Sequence, residues 1–177
     1  MKKVFIIIFA VLIGTAVSQA KSKQQAREDS IDCVRAIRAV ERGSFVMFAE
    51  RISMGAWNNI VDDDMNFVAV NPKKSMVQLV PVIGHFAGVN LPGTQSNYKV
   101  TAKPSKKGDK GPEYNISWFV NGAYINAQVF VTMYRDSNDA MAVIAGAYSG
   151  QDVTLYGKIF PLELFPEIAG SYDMRDC

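Results

Sequence analysis

The pattern of apolar residues beyond Gly43 constrains the fold of this chain more than any other feature. From Phe45 to Ile159 apolar and polar residues tend to alternate, and clusters of Gly, Pro, Asn and Asp interrupt the alternation. Because successive side chains of a strand point to opposite sides, a period of two predicts β-strands with one buried face. About eight such strands in a row predict a mainly β fold, an antiparallel meander that closes into a barrel. A β-sandwich is the alternative.

Turn-forming residues divide this region into strands and loops. Gly55–Asp64 and Gly84–Gln95 are predicted to be loops, and no structure is assigned to the tail 161–177. The predicted strands are Phe45–Ile52, Phe67–Val70, Met76–Ile83, Asn97–Lys103, Tyr114–Val120, Ala123–Tyr134, Met141–Tyr148 and Val153–Ile159.

The pair Asn121-Gly122 lies between two alternating segments and is the strongest short hairpin signal in the sequence. Asn-Gly favours a two-residue type I′ turn. Such a turn would pair Val120 with Ala123 and Trp118 with Ile125. Turn and pattern then select the same register, which places the apolar residues on one face and the polar residues on the other.

Residues 21–43 are predicted to form an N-terminal helix that ends at Gly43. Cys33, Ala36, Ile37 and Val40 follow the spacing of one helix face. A glycine directly after the last helical residue is a common helix terminator. This helix is expected to cover one end or one face of the sheet, and the β domain is expected to span residues 44–160.

The first 20 residues have the three-part layout of a signal peptide. Lys2 and Lys3 precede an apolar stretch, Val4–Val17, and Ser18-Gln19-Ala20 supplies a cleavage site. A membrane anchor is the alternative, but about 14 apolar residues are fewer than the ~20 that span a bilayer. The sequence therefore predicts cleavage near Ala20, a periplasmic or secreted protein, and no membrane span afterwards.

The balance of basic and acidic residues argues against nucleic acid as a partner. The chain has 19 basic and 17 acidic residues. Removal of Lys2 and Lys3 with the signal peptide leaves 19 − 2 = 17 basic residues against 17 acidic ones. A nucleic-acid-binding protein usually has a basic excess, so no nucleic-acid partner is expected.

Cys33 and Cys177 are the only cysteines. Export permits a disulfide between them, which would tie the helix to the end of the chain. The alternative is a buried Cys33 and a free thiol at Cys177.

The sequence contains no convincing catalytic or metal-binding constellation. Asp62, Asp64 and Asn66 match the beginning of a calcium loop, but Phe67 and Lys73 occupy the positions that require Gly and Glu. A single histidine, His85, cannot supply a catalytic triad or a usual zinc site without further partners. We therefore expect no catalytic residues, no metal and no cofactor, and the protein is not predicted to be an enzyme.

The apolar face of the meander is the candidate binding site. Its aromatic members, with one branched residue, could line a pocket; they are Tyr98, Tyr114, Trp118 and Ile125. The alternative is that they form a packed core. The leading hypothesis is non-enzymatic binding of a small apolar ligand or peptide, and the second is a periplasmic module that binds another envelope protein.

Four short motifs occur in order along the predicted β domain: Ser44-Phe45-Val46, Asn66-Phe67-Val68, Ser96-Asn97-Tyr98-Lys99-Val100 and Val153-Thr154-Leu155-Tyr156-Gly157. With these motifs, the stretch from about Phe45 to Pro161 resembles the bacterial domain family DUF4251. The resemblance implies an exported, β-rich, lipocalin-like domain without an assigned activity.

Overall fold

The computed structural model describes residues 26–61, 65–81, 88–104, 113–123, 126–148, 150–170 and 174. A helix, α1, spans residues 26–42 and nine strands follow it. The strands are β1 (Phe45–Met54), β2 (Trp57–Ile60), β3 (Phe67–Val70), β4 (Lys74–Leu79), β5 (Val89–Lys103), β6 (Glu113–Gly122), β7 (Asn126–Met133), β8 (Asp139–Tyr148) and β9 (Gln151–Pro161). Within the described ranges, none of the helices could span a lipid bilayer. The predicted signal peptide lies outside the described residues.

The strands form one closed antiparallel barrel. Their order is β2-β1-β3-β4-β5-β6-β7-β8-β9, and β9 also pairs with β1. Closure therefore involves eight strands, and β2 extends the sheet beside the second half of β1. The predicted mainly β barrel is confirmed, and the sandwich alternative is excluded because β9 returns to β1.

The barrel interior is the main hydrophobic core. Alternate residues of β6 point inward, and the same alternation continues on β7 and β9. Bulges adjust this alternation at one point in β1, between Ala49 and Arg51, and again in β8 before Tyr148. A bulge inserts an extra residue into one strand and bends it, which helps a sheet to close.

Helix α1 closes the end of the barrel at which β1 begins. Ala36, Ala39 and Val40 are fully buried in the same cluster as the barrel interior. The helix ends in a Schellman motif at Gly43, whose φ is +64°. The Gly43 amide donates to the carbonyl of Val40 and the Ser44 amide donates to the carbonyl of Ala39, each at 3.0 Å. The buried helix face and its glycine terminator are as the sequence predicts.

The predicted β6–β7 register is wrong by four residues. Val120 pairs with Ala127 and Trp118 with Val129, not with Ala123 and Ile125. Asn121 does not form a turn, because it continues β6 beside β5, where its side-chain amide donates to the Thr94 carbonyl at 3.2 Å. A shift by an even number of residues does not change which residues share a face. The apolar residues are therefore on one face of the hairpin, as predicted, although the predicted turn is wrong.

Two predicted loops contain strands. Gly55–Asp64 includes β2, which a tight turn at Gly55 folds back onto β1. Gly84–Gln95 includes the first part of β5, where Pro92 and Gly93 lie within the ladder. In the sequence, Pro92 and Gly93 indicate a loop. A Pro can nevertheless lie within a strand at a position where no neighbouring strand needs its missing N–H. The strand predicted over Met76–Ile83 is shorter, since β4 ends at Leu79.

The C-terminal tail covers the outside of the barrel at β1, β3 and β4. It contains a 3-10 turn, Leu162–Leu164, and a short helix, α2 (Pro166–Ala169). The side-chain amide of Asn71 donates to the carbonyl of Met174 at 2.7 Å. The tail and the strands form a second apolar cluster, which contains Val46, Phe48, Phe67, Ala69, Met76, Phe160, Leu162, Phe165, Ile168, Ala169 and Met174. Strands β1 and β3 are therefore buried on both faces.

Candidate ligand-binding site

Tyr98 connects the barrel wall to helix α1. A bulge between Ser96 and Lys99, with Asn97 at a φ of +56°, brings this ring towards the helix. The Tyr98 hydroxyl donates to the carbonyl of Val40 at 2.6 Å. Its ring contacts the backbone of Gly43 so closely that a Cβ there would lie 3.3 Å from a ring carbon. Burial raises the pKa of Tyr98, so the hydroxyl remains a donor at neutral pH.

Replacement of Tyr98 by Phe is expected to lower the free energy of unfolding by about 1 kcal/mol, the usual value of a partly buried neutral hydrogen bond. The carbonyl of Val40 keeps the amide of Gly43 as a partner, which limits the loss. Urea denaturation measures the change. Tyr134→Phe is the control, because that side chain is exposed and should give a change within about 0.5 kcal/mol. Equal effects of the two substitutions would contradict this role for Tyr98.

Trp118 points into the barrel and is only 1% exposed. Its indole N–H donates to Oγ of Ser75 at 2.8 Å, and that hydroxyl donates to the carbonyl of Ala69 at 3.0 Å. The ring of Phe45 meets the indole edge-to-face, with ring centroids 5.8 Å apart. This buried polar pair is satisfied within the protein, as buried indole groups require.

Two predicted lining residues remain, Tyr114 and Ile125. Tyr114 is buried near α1, and desolvation, followed by the charges of Glu41 and Cys33, raises its pKa. Ile125 lies outside the described residues. Tyr98, Tyr114 and Trp118 thus share the interior at the helix-covered half of the barrel, and their role in ligand binding stays a prediction.

Cys33 is buried on α1 and carries no disulfide within the described part of the chain. Burial raises the pKa of the thiol, and the nearby carboxylate of Asp136 raises it further. Cys177 lies outside the described residues, so the bridge between Cys33 and Cys177 stays a prediction.

The end of the barrel opposite α1 carries partly buried apolar side chains. Strand β1 ends there at Met54, and a hairpin folds β2 back beside the last residues of β1. Met54, Trp57 and Val61 are only partly buried and pack against the edge of the core. We call these three residues the distal rim. The sequence prediction missed this rim because it assigned Gly55–Asp64 to a loop.

Metal ions in proteins are held by groups of His, Cys, Asp or Glu side chains. Within the described ranges, no group of three or more of these residues could hold a metal ion. Asn66, the last residue of the calcium-like motif, is fully buried and accepts the amide of Val80 at 3.0 Å through Oδ1. It thereby connects the ends of β3 and β4. Asp62, Asp64 and His85 lie outside the described residues.

Comparison with known proteins supports the resemblance that the sequence motifs indicate. The structure is similar to the crystal structure of a DUF4251 family protein from Bacteroides eggerthii DSM 20697, with a TM-score of 0.68 and 26% identity. The match covers 82% of this chain and 98% of that one. The chain has the DUF4251 fold. No family model matches the sequence, and no curated protein matches it.

The motifs that carry the DUF4251 resemblance hold this barrel together. Tyr98 anchors α1, and Asn66 joins β3 to β4. At Gly157 strand β9 approaches β1 so closely that a Cβ would overlap the carbonyl oxygen of Phe48. In this structure the motif residues therefore connect neighbouring strands and attach α1 to the barrel.

Proposed function

We propose that this DUF4251-like protein is a non-enzymatic binding protein that takes a small apolar ligand or peptide at the distal rim. The observation that carries the proposal is the contrast between the two ends of the barrel. Helix α1 closes one end with fully buried Ala36, Ala39 and Val40. Among the residues that the structure describes, the other end presents the partly buried side chains of Met54, Trp57 and Val61. Apolar sites with few polar groups commonly occur in the mouths of β-barrels.

The rim provides apolar area for such a ligand without opening the core. Ile52 is buried near the end of β1 and Leu79 is buried at the end of β4, where Val89 of β5 pairs with Leu79. A ligand that covers Trp57 and Val61 would remove apolar surface from water at about 25 cal/mol per Å². The signal-peptide layout of residues 1–20 supports a location of this binding in the periplasm or outside the cell.

Val61→Asp tests the proposal, with N-phenyl-1-naphthylamine as an uncharged apolar probe. The fluorescence of the probe should rise with saturation on the wild-type protein. The substitution should weaken probe binding at least about tenfold, because a carboxylate on the rim disfavours an apolar ligand by more than about 1.4 kcal/mol.

Ile60→Asp is the matched control. Ile60 is the neighbouring residue, but its side chain is 83% exposed and belongs to the other face of β2. The Ile60→Asp variant should bind the probe as tightly as the wild-type protein does. An absence of saturable fluorescence with the wild-type protein, or equal binding by wild type and Val61→Asp, would refute the proposal.

The second candidate function is a module that binds another envelope protein, and two outer side chains favour it. Phe119 and Phe130 are exposed diagonal neighbours on β6 and β7. Exposed aromatic groups are enriched at protein interfaces. The probe titration separates the two candidates, because a pure interaction module offers no saturable apolar site at the rim.

A further inference from the structure

Four arginines lie along the side of helix α1 that faces away from the barrel. With one isoleucine they occupy positions separated by four, four, three and four residues, so they share one side of the helix. We call these exposed residues the arginine stripe; they are Arg27, Ile31, Arg35, Arg38 and Arg42. The buried residues Cys33, Ala36 and Val40 lie on the opposite side. At 1.5 Å per residue, the stripe is about 22 Å long.

Positive and negative charges are separated around the axis of α1. At about 100° per residue, the arginine stripe occupies an arc of about 80°. The acidic residues of the helix lie outside that arc; they are Glu28, Asp29, Asp32 and Glu41. Arg35 contacts Asp32 at 3.6 Å and Arg42 contacts Glu163 at 3.5 Å, but these side chains are 40–61% exposed. Because such exposed ion pairs are weak, the guanidinium groups can exchange them for an anionic surface.

Exposed apolar side chains accompany the arginines. Ile31 is 50% exposed within the stripe, and Val34, beside it, is 45% exposed. The binding of a helix to a membrane surface increases with the apolar area that enters the headgroup region and with the attraction between basic residues and anionic lipids. The outer side of α1 provides both contributions.

We propose that the arginine stripe docks this protein on an anionic phospholipid surface. The place of α1 in the chain favours a membrane over an acidic protein as the occupant. A signal peptide enters a membrane during export, and residue 26 of α1 is only nine positions after Val17, the last residue of the apolar stretch. Nine residues span at most about 32 Å. Helix α1 is therefore held close to a lipid surface until the signal peptide is removed.

The strength of this docking follows from the number of charges. Each basic residue near an anionic membrane contributes about 1 kcal/mol, so four arginines give weak and reversible binding that salt screens. Because α1 closes one end of the barrel, the distal rim at the other end then faces away from the membrane. Docking leaves the proposed ligand site accessible, and neither proposal depends on the other.

Co-sedimentation with lipid vesicles tests the docking on residues 21–177, the chain after the predicted cleavage, which includes α1 and all nine strands. Vesicles of equal parts phosphatidylglycerol and phosphatidylcholine should bind it in about 0.1 M salt and release it in about 1 M salt, where the Debye length is about 3 Å. The double variant Arg27→Gln, Arg38→Gln should bind at least about tenfold more weakly, because it loses two contributions of about 1 kcal/mol each.

The charge-matched control is the double variant Arg51→Gln, Lys158→Gln. These two cations lie on β1 and β9, on the outer wall of the barrel, and their removal changes the net charge by the same amount. The control should bind the vesicles as the wild-type chain does. No binding by the wild type, or equal binding by the two double variants, would refute the proposal. Wild-type binding to soluble polyglutamate but not to vesicles would also refute it, since that result indicates an acidic protein as the partner.

An environment-sensitive fluorescent label tests which side of the protein meets the lipid. In a Cys33→Ala, Cys177→Ser background, Ile31→Cys and Ile60→Cys place a nitrobenzoxadiazole label on α1 or on β2. Emission from the label at position 31 should rise with the anionic vesicles, because that side chain enters the headgroup region. The label at position 60, where the native side chain is 83% exposed, should not respond. Equal responses at the two positions, or none at position 31, would overturn docking through α1.

Discussion

Replacement of Trp118 by Ala is expected to lower the free energy of unfolding by about 3–5 kcal/mol, the range for truncation of a large aromatic residue in a packed core. The indole is 1% exposed and meets Phe45 edge-to-face. Its removal leaves a cavity between β1 and β6 and takes the N–H donor away from Ser75. Guanidinium chloride denaturation, followed by circular dichroism, measures the loss.

Phe119→Ala is the matched control for this experiment. Phe119 is the next residue of β6, but it points to the outside and is 37% exposed. Its truncation should cost less than about 1 kcal/mol. Trp118→Phe should lie between the two, because it keeps most of the packing and loses one hydrogen bond worth about 1 kcal/mol. If Phe119→Ala destabilised the protein as much as Trp118→Ala, the inward orientation of Trp118 would be wrong.

The second large effect is expected at Gly157, where β9 closes the barrel against β1. Gly157 pairs with Ala49 next to the bulge in β1, and an added Cβ would overlap the carbonyl oxygen of Phe48. A backbone atom cannot move aside as a flexible side chain can. Gly157→Ala should therefore cost at least about 3 kcal/mol, the upper part of the range for overpacked sites. Thermal unfolding would detect so large a change.

Gly146→Ala separates this steric effect from the general cost of losing a glycine. Gly146 has a φ of +68°, and nothing lies within 4 Å of its added Cβ. Backbone strain alone should cost about 1 kcal/mol there. A Gly157→Ala variant that is no less stable than Gly146→Ala would contradict the close approach of β9 and β1.

Local patterns in the sequence predict most of this architecture. The change of period after Gly43 separates helix from strands, and the glycine itself ends α1 in a Schellman motif. The inward set Tyr114, Trp118 and Val129 follows from alternation alone. Such features depend on neighbouring residues, so a single sequence is enough to read them.

Features that depend on distant residues could not be predicted in the same way. Asn121-Gly122 favours a tight turn, yet pairing with β5 keeps both residues extended. The tail had no recognisable pattern because its apolar residues match the outer face of β1 and β3, not a period of their own. The contact at Gly157 that closes the barrel could not be predicted from the sequence either, because it forms only when β9 pairs with β1.

Local patterns in the sequence were enough to predict α1, most of the strands and the faces that these elements bury. Closure of the sheet, the position of α1 at one end of the barrel and the pairing of β2 with β1 became known only from the folded chain. Side-chain alternation depends on local backbone geometry, whereas strand partners are selected by packing between segments far apart in the chain. The distal rim, with Trp57 and Val61, also depends on such packing between distant segments and could not be predicted from local patterns.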